Sequence, residues 1–163
     1  MQRMRGILGL VAVLGVAFGT MGFDRDNPVK IRRYVSLARG EVNMREGPSF
    51  DHKVKWVYHR AGLPVLVVAQ YDIWRRVEDS DGAVGWIQSS MLSAARTVVV
   101  RADKPAPLRD AKRKDAHISA YMAPGVVARV QSCTADFCTI ITAGAVGWIN
   151  KKYIWGVDRG EIF

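Results

Sequence analysis

The sequence predicts an all-β protein made of two copies of one small domain. The hexapeptide Gly-Ala-Val-Gly-Trp-Ile occurs at residues 82–87 and again at residues 144–149. A perfect repeat of this length is improbable by chance in a chain of 163 residues and indicates a duplicated unit. Short runs of β-branched and aromatic residues alternate with turn formers, and no stretch after the N-terminal segment keeps a helical period over about ten residues. This pattern is typical of small barrels or sandwiches.

The remainder of the chain aligns with itself around the hexapeptides. At an offset of 64, residues 35–38 face residues 99–102, Trp74 faces Cys138, and Val77 faces Ile141. The offset falls to 63 at Gly62 and Gly125. It changes only in segments rich in Gly, Pro, Asp and Ser, which are typical of loops that tolerate insertions. The alignment predicts domains at 34–93 and 97–158.

Each copy contains strand runs separated by turns. In the first copy, residues 65–69 are a β-branched run, and residues 74–77 and 86–87 flank a loop of turn-forming residues, which predicts a hairpin. Gly85 and Gly147 each precede a Trp, where a glycine permits a bulge or a close approach of two strands. A domain of about 60 residues buries little surface alone, so we expect the two copies to stabilise each other.

The first 19 residues have the pattern of a secretory signal peptide. Arg3 and Arg5 precede an apolar run over residues 7–18, and Ala17 and Gly19 stand at −3 and −1 of a cleavage site after Gly19. A helix over this run would rise about 18 Å, which is short of a hydrocarbon core of about 30 Å. Residues 20–33 are predicted to be a flexible leader. Retention of the segment as a membrane anchor is the alternative, and a cleaved signal predicts a periplasmic or secreted protein.

The chain is basic. Its net charge is +9, and removal of Arg3 and Arg5 leaves +7. A basic exported protein is suited to anionic wall polymers, lipid headgroups or acidic proteins, whereas export argues against nucleic acid. Because most of the positive residues are scattered, a solvated, soluble surface is the favoured interpretation of this charge.

The two cysteines predict a disulfide. Cys133 and Cys138 are five positions apart. If the intervening residues form a hairpin turn, they face each other on adjacent strands at a Cβ separation of about 4.5–5.5 Å, which modest twist would close to the disulfide value of about 3.8 Å. An oxidising compartment favours this bond. A free buried pair and a redox pair are the alternatives, although the C-x-x-C spacing of redox pairs is absent.

Several motifs together resemble one family. Residues 42–49, Val-Asn-Met-Arg-Glu-Gly-Pro-Ser, resemble the N-x-R-x-G-P-S opening of bacterial SH3 (SH3b) domains. Trp74, Val77, residues 85–87 and residues 91–92 resemble the W-x-x-V, G-W-V and Y-L positions of its ending. The second copy keeps only Arg109 of the opening, but it keeps the ending at residues 147–149 and 153–154. The resemblance implies two tandem SH3-like barrels of the kind exported by Gram-negative bacteria. Some SH3b domains carry paired cysteines around the hairpin, and Cys133 and Cys138 resemble such a pair.

The resemblance also implies where a ligand would bind. SH3-like barrels commonly hold ligands on aromatic residues between the long first loop and the hairpin loop. The corresponding candidates are Trp74, Trp86 and Met91 in the first copy, with Arg45 of the opening motif, and Cys138, Trp148 and Tyr153 in the second. Strand alternation places Val77 inside and therefore Trp74 towards solvent. For Trp86 and Trp148, core or inter-domain packing is the favoured interpretation and ligand contact the alternative. Gln88 and Asn150 replace the proline of polyproline-binding grooves, so no PxxP-type ligand is expected.

Trp56 and Tyr58 form an aromatic strip flanked by Lys53, Lys55 and Arg60. Such a strip could stack on sugar rings while the cations meet carboxylates of peptide stems. Alternation favours the other interpretation, in which Val54, Trp56 and Tyr58 face inward and the basic residues face water.

The sequence predicts no catalytic residue, metal ligand or cofactor. The histidines His52, His59 and His117 lack partners at metal-ligand spacing, and there is no phosphate-binding loop or nucleophile elbow. We therefore expect a non-enzymatic exported module that binds peptidoglycan or another envelope component. A protein–protein adaptor in the envelope is the alternative, a cell-wall hydrolase accessory or enzyme is the least favoured, and membrane contact is expected only through an uncleaved signal segment.

Overall fold

Two antiparallel sheets of seven strands make up the fold in a computed structural model that describes residues 28–163. The predicted signal peptide and the leader up to residue 27 lie outside the described residues. The strands of the first sheet are β1 (Val29–Leu37), β2 (Val42–Arg45), β3 (Val54–Tyr58), β4 (Pro64–Tyr71), β5 (Trp74–Glu78), β6 (Val84–Gln88) and β7 (Leu92–Ser93). Those of the second are β8 (Thr97–Val100), β9 (Ala106–Arg109), β10 (Ile118–Met122), β11 (Val127–Cys133), β12 (Phe137–Ile141), β13 (Val146–Asn150) and β14 (Ile154–Trp155).

The two sheets have the same topology. The strand order is β3-β2-β6-β5-β4-β1-β7 in the first and β10-β9-β13-β12-β11-β8-β14 in the second. A single 3₁₀ turn, at Ser89–Met91 and at Lys151–Tyr153, precedes the last strand of each copy. The predicted all-β class and the duplication are therefore confirmed. Over residues 28–163, none of the helical segments has the length and apolar character needed to cross a bilayer.

Each copy encloses its own apolar core. The first is formed by inward-facing residues of β1–β6, and the second by the corresponding residues of β8–β14 together with the two cysteines. Fully buried members include Met44, Val65, Val77 and Ile87 in the first core and Leu108, Ile140 and Ile149 in the second. Alternation of apolar and polar residues along the strands produces this arrangement, because successive side chains point to opposite faces of a sheet.

Gly85 and Gly147 lie at close approaches between strands, as the sequence predicts. A Cβ on Gly85 would lie 2.5 Å from Met44 Cγ and 2.8 Å from the Arg45 carbonyl oxygen. A Cβ on Gly147 would lie 2.8 Å from Leu108 Cγ and 2.7 Å from the Arg109 carbonyl oxygen. Glycine therefore lets β6 approach β2, and β13 approach β9, in the same way in both copies.

The pairing register corrects the alignment of the two copies. Gly62 N–H donates to the Leu37 carbonyl, and Gly125 N–H donates to the Val100 carbonyl, so Leu37 corresponds to Val100 at an offset of 63. The predicted offset of 64 is wrong here. Arg33 consequently corresponds to Arg96.

The same correction applies to the hairpin strand. Trp86 faces Arg76 and Trp148 faces Thr139, so Trp74 corresponds to Phe137 rather than to Cys138. Val77 corresponds to Ile140, which is fully buried, whereas Ile141 is exposed. The turns differ in length, two residues before β5 and three before β12, so matching their aspartates displaced the alignment by one position.

The first strand begins earlier than the predicted boundary of the leader. β1 already pairs with β4 at Val29, opposite Gln70, so residues 29–33 belong to the sheet rather than to a flexible leader. Ile31 packs against the first core, and Arg32 forms an ion pair with Asp158 at 2.7 Å. These contacts hold the segment against both repeats.

Hydrogen bonds join the two copies at a buried junction. The hydroxyls of Ser36 and Thr97 are 2.8 Å apart, and Thr97 also donates to the Gly62 carbonyl at 2.7 Å. Both side chains are buried, so their hydroxyl groups need these partners to offset the loss of water. Arg60 donates to the Gly125 carbonyl at 2.9 Å, which adds a second link between the copies.

The predicted disulfide is confirmed. Cys133 and Cys138 are bonded, and they face each other in the pairing of β11 with β12. Thr134 N–H donates to the Phe137 carbonyl at 2.7 Å and closes the turn between them. The bond thus lies across the hairpin that the spacing predicts.

We expect reduction of the disulfide to lower the free energy of unfolding by about 2 kcal/mol, because the bond closes only a short loop in the unfolded chain. Urea unfolding followed by tryptophan fluorescence would measure this loss. Replacement of both cysteines by serine should cost more than reduction, because it also buries two hydroxyl groups in the second core. An unchanged midpoint in both would show that the bond contributes nothing to stability.

Candidate binding site

Trp74 is buried, which makes the prediction that it faces solvent wrong. Its side chain is 5% exposed, and Phe50 packs edge-on against it with ring centroids 5.1 Å apart. Phe50 belongs to the loop between β2 and β3, and this loop covers the face that alternation assigns to solvent. Trp74 is therefore a packing residue, as is its counterpart Phe137.

Trp56 is exposed, contrary to the favoured interpretation that it faces inward. Its side chain is 57% exposed, whereas Tyr58 on the same face is buried. β3 is the edge strand of its sheet, and the part that contains Trp56 extends beyond the core. Alternation therefore assigns Trp56 to the correct face, but that end of the face is exposed to solvent. Trp56 is thus an exposed aromatic residue, although strand alternation favoured the core for it.

Trp56 lines an apolar groove, which we call the Trp56 groove. It has a volume of about 560 Å³ and lies between β3 and the loop that joins β5 to β6. Its apolar lining includes Trp56, Tyr58, Leu63, Pro64 and Ala83. Polar groups from the loop at residues 79–81 stand along one side. An exposed indole beside an apolar groove with polar groups on one wall is suited to a ligand with both apolar faces and hydrogen-bonding groups.

Asp79 fixes the wall of this groove. Its carboxylate accepts hydrogen bonds from the backbone N–H groups of Asp81 at 2.9 Å and Ala83 at 2.8 Å. The Tyr58 hydroxyl donates to the same carboxylate at 2.8 Å. Burial raises the pKa of the Tyr58 phenol, and the bond to Asp79 raises it further, so the hydroxyl remains a donor. Asp79 has the turn-forming role that the sequence indicates.

A second groove lies between the two copies, and we call it the inter-repeat groove. Its volume is about 1020 Å³, and it shares Leu63, Ser80 and Asp81 with the Trp56 groove. The two grooves therefore adjoin at these residues. The lining includes four basic residues, two acidic ones, three prolines and one tyrosine: Arg60, Arg101, Lys104, Lys152, Asp81, Asp103, Pro105, Pro107, Pro124 and Tyr153.

The charges in the inter-repeat groove are partly paired. Arg101 forms an ion pair with Asp81. Lys152 Nζ lies 4.7 Å from the centroid of the Tyr153 ring, a cation–π contact at an exposed site. With four cations against two carboxylates, the groove favours an anionic ligand. Of the predicted contact residues, Tyr153 is the one that lines this groove.

Arg45 holds a loop in place and does not line an open binding surface. Its guanidinium donates to the carbonyls of Phe50 at 3.1 Å and His52 at 2.8 Å. Its counterpart Arg109 donates to the Ala116 carbonyl in the second copy. The shared Arg of the opening motif therefore orders the long first loop of each repeat.

The remaining candidates lie apart from the Trp56 groove and the inter-repeat groove. Trp86 is 8% exposed and lines a separate concavity with Lys30, Lys55 and Arg76. Met91 packs against the first core. Trp148 is half-buried and faces Arg109 across the sheet. The structure does not bring these three side chains together into one site.

The second copy has no equivalent of Trp56. Trp56 faces Met44, and the corresponding partner of Leu108 is Ala120. An alanine offers no ring for stacking, so the aromatic groove is a feature of the first repeat. The sequence contains the signal for this difference, but the pairing register is needed to align the two positions.

The aromatic and basic side chains that line the two grooves are suited to binding a ligand. An aromatic face suits a sugar or apolar ring, and the cations suit carboxylates or phosphates. Across residues 28–163, no group of three or more His, Cys, Asp or Glu side chains is arranged to hold a metal ion.

The chain is similar to one described family and to several solved structures. The bacterial SH3 domain matches it twice, at residues 38–94 and 102–156. Two similar structures are NlpC2 and NlpC1 from Trichomonas vaginalis, at 13% and 12% sequence identity, both with a TM-score of 0.35. The alignments cover 77% and 86% of this chain, which spans about half of each structure, 48% and 51%. No curated protein matches the chain significantly.

Proposed function

Because this chain belongs to the bacterial SH3 domain family and contains two tandem copies of the domain, we propose that it is a non-enzymatic, exported binding module for peptidoglycan or another anionic envelope polymer. Family membership supports a binding role, since bacterial SH3 domains are often cell-wall-binding modules. The predicted signal peptide supports export to the periplasm or beyond.

The exposed Trp56, which lines a groove that adjoins a basic groove, carries this proposal. A glycan strand offers sugar faces that stack on an indole, and its peptide stems offer carboxylates that pair with cations such as Lys104 and Lys152. One ligand could therefore occupy both grooves, with its sugar part on the first repeat and its peptide part between the repeats.

The test is co-sedimentation of the purified protein with isolated peptidoglycan sacculi over a series of salt concentrations. We expect saturable binding that weakens as salt rises, because contacts between exposed cations and an anionic polymer are screened. Sacculi with amidated stem carboxylates are the matched control and should bind more weakly. Absence of sedimentation at low salt would exclude the wall as the ligand.

A protein adaptor is the second candidate, and the edge strand β3 favours it. Among residues 28–163, β3 pairs with β2 alone, so its outer edge offers unpaired backbone groups to a partner strand. Salt-insensitive capture of one defined envelope protein, without binding to sacculi, would support this role. Release of soluble fragments from sacculi would instead reveal an enzyme.

A further inference from the structure

Cationic side chains line the outer face of the first sheet, away from both grooves. Lys30 on β1 faces Ala69 on β4, and Ala69 faces Arg76 on β5. Arg76 in turn faces Trp86 on β6. Residues that face each other on neighbouring strands point to the same side of a sheet, and neighbouring strands are about 4.8 Å apart. The backbones of Lys30 and Arg76 are therefore about 10 Å apart on one surface.

This row of residues is on the side of the sheet that faces away from the core. Val77 follows Arg76 and Ile87 follows Trp86, and both Val77 and Ile87 are fully buried in the first core. Because successive side chains of a strand point to opposite faces, Arg76 and Trp86 point away from that core. The row lines a concavity of about 750 Å³.

The concavity has an excess of positive charge. Lys30, Lys55 and Arg76 are exposed, and Glu46 is the one acidic residue that lines it in the part of the chain that the structure describes. None of the ion pairs among the described residues involves any of these three cations. The Lys55 ammonium donates to the Val84 carbonyl at 2.9 Å, which fixes its position. The cations are thus available to an anionic partner.

Exposed apolar side chains flank the cations. Phe50 is 63% exposed, and its ring packs edge-on against Trp74. Trp74 lies two residues before Arg76 on β5 and therefore shares its face. Val54, on the edge strand β3, ends the same cross-strand row and is also exposed. Exposed apolar side chains beside cations suit the interface of a bilayer, where the apolar groups enter the acyl boundary and the cations meet headgroups.

The second repeat has the same fold without these features. The pairing register aligns two of the cations and the exposed ring with residues of other character: Lys55 with Ser119, Arg76 with Thr139, and Phe50 with Lys114. The tryptophan of the row is retained as Trp148. The fold therefore does not require the cations or the exposed ring, and their presence in the first repeat indicates a role outside folding.

The chain enters the described structure beside this face. Pro28, the first described residue, lines the concavity together with Lys30. Residues 19–27 therefore join the apolar run at residues 7–18 to this side of the first repeat. Nine residues span at most about 30 Å. In a chain that retains the apolar run in a membrane, the leader would keep this face close to the bilayer.

We propose that the outer surface formed by Lys30, Lys55, Arg76 and Phe50, which we call the Phe50 face, binds a bilayer that contains anionic lipids. The cations attract the lipid phosphates, and salt screens this attraction. The Phe50 ring enters the boundary between headgroups and acyl chains. This adds a membrane contact of the folded part of the chain to the one expected of an uncleaved signal segment.

The inference goes beyond the proposed function. The concavity of the Phe50 face shares no lining residue with the Trp56 groove or with the inter-repeat groove. A wall polymer and a bilayer would therefore occupy separate surfaces of the protein, and each can be tested without the other.

The test is co-sedimentation of the purified chain from residue 20 onwards, which contains both cores but not the apolar run, with lipid vesicles. We expect saturable binding to vesicles that contain phosphatidylglycerol, weakening as salt rises, and little binding to pure phosphatidylcholine. The K30Q/R76Q variant should bind at least tenfold more weakly. F50S should also bind several-fold more weakly although it keeps the charge, and circular dichroism controls for folding.

The second repeat supplies the matched controls. K114Q/R129Q removes two exposed cations there, Y121S removes an exposed ring, and both variants should bind vesicles like the wild type. The proposal is overturned if the folded wild-type chain shows no saturable binding to anionic vesicles, or if phosphatidylcholine binds equally well. It is also overturned if K114Q/R129Q weakens binding as much as K30Q/R76Q. W56A should bind vesicles like the wild type, so failure to bind sacculi would leave these results unaffected.

Discussion

Replacing Gly147 with alanine should destabilise the second repeat by about 3 kcal/mol. The new methyl group would lie 2.7 Å from the Arg109 carbonyl oxygen and 2.8 Å from Leu108 Cγ. The carbonyl belongs to the backbone of β9, so the strands must separate to relieve the clash, and overpacking of this kind costs about 1–3 kcal/mol or more. Urea unfolding measured by circular dichroism would quantify the loss.

The hexapeptide supplies its own control. Gly144 begins the same repeat, but a Cβ added there meets no atom within 4 Å. We therefore expect G144A to change stability by no more than about 0.5 kcal/mol. Equal effects of G144A and G147A would contradict the close approach of β13 to β9. G85A should reproduce the loss in the first repeat, although the flexible Met44 side chain can absorb part of the clash.

Replacing Trp56 with alanine should weaken binding to peptidoglycan by about tenfold or more, which corresponds to at least about 1.4 kcal/mol. An exposed tryptophan at the mouth of an apolar groove is the kind of residue that contributes most to binding energy. Because more than half of its surface is already exposed, its removal should change the free energy of unfolding only slightly. Co-sedimentation with sacculi and urea unfolding would separate the two effects.

The control for Trp56 is Tyr121, an exposed aromatic residue on the edge strand of the second copy. Tyr121 does not line either groove. Y121A removes a similar ring from a similar edge, and we expect it to bind sacculi like the wild type. Equal weakening by W56A and Y121A would indicate nonspecific adsorption through exposed rings and would exclude the Trp56 groove as the site.

The sequence was sufficient to predict the architecture because the duplication is visible in it. The repeated hexapeptide, the strand periodicity and the cysteine spacing predicted the all-β class, the two copies and the disulfide. Gly85 and Gly147 were also interpreted correctly, since a glycine within a strand permits a close approach of the neighbouring strand. These features depend on local spacing, and local spacing is what a single sequence contains.

The candidate site was harder to predict, because exposure depends on what covers a strand. Alternation placed Trp56 and Tyr58 on one face, and they do share one, but the core ends beneath Tyr58 and leaves Trp56 in solvent. Alternation likewise could not show that Phe50 covers Trp74.

The most direct test of the proposed site is an NMR titration with soluble peptidoglycan fragments. Each of the five tryptophans has one indole N–H signal, and single substitutions would assign them. We predict that the Trp56 signal shifts with saturation, while those of the buried Trp74 and of Trp148 in the second repeat do not. Saturable binding that shifts the Trp148 signal and leaves the Trp56 signal in place would contradict the assignment of the ligand site to the first repeat.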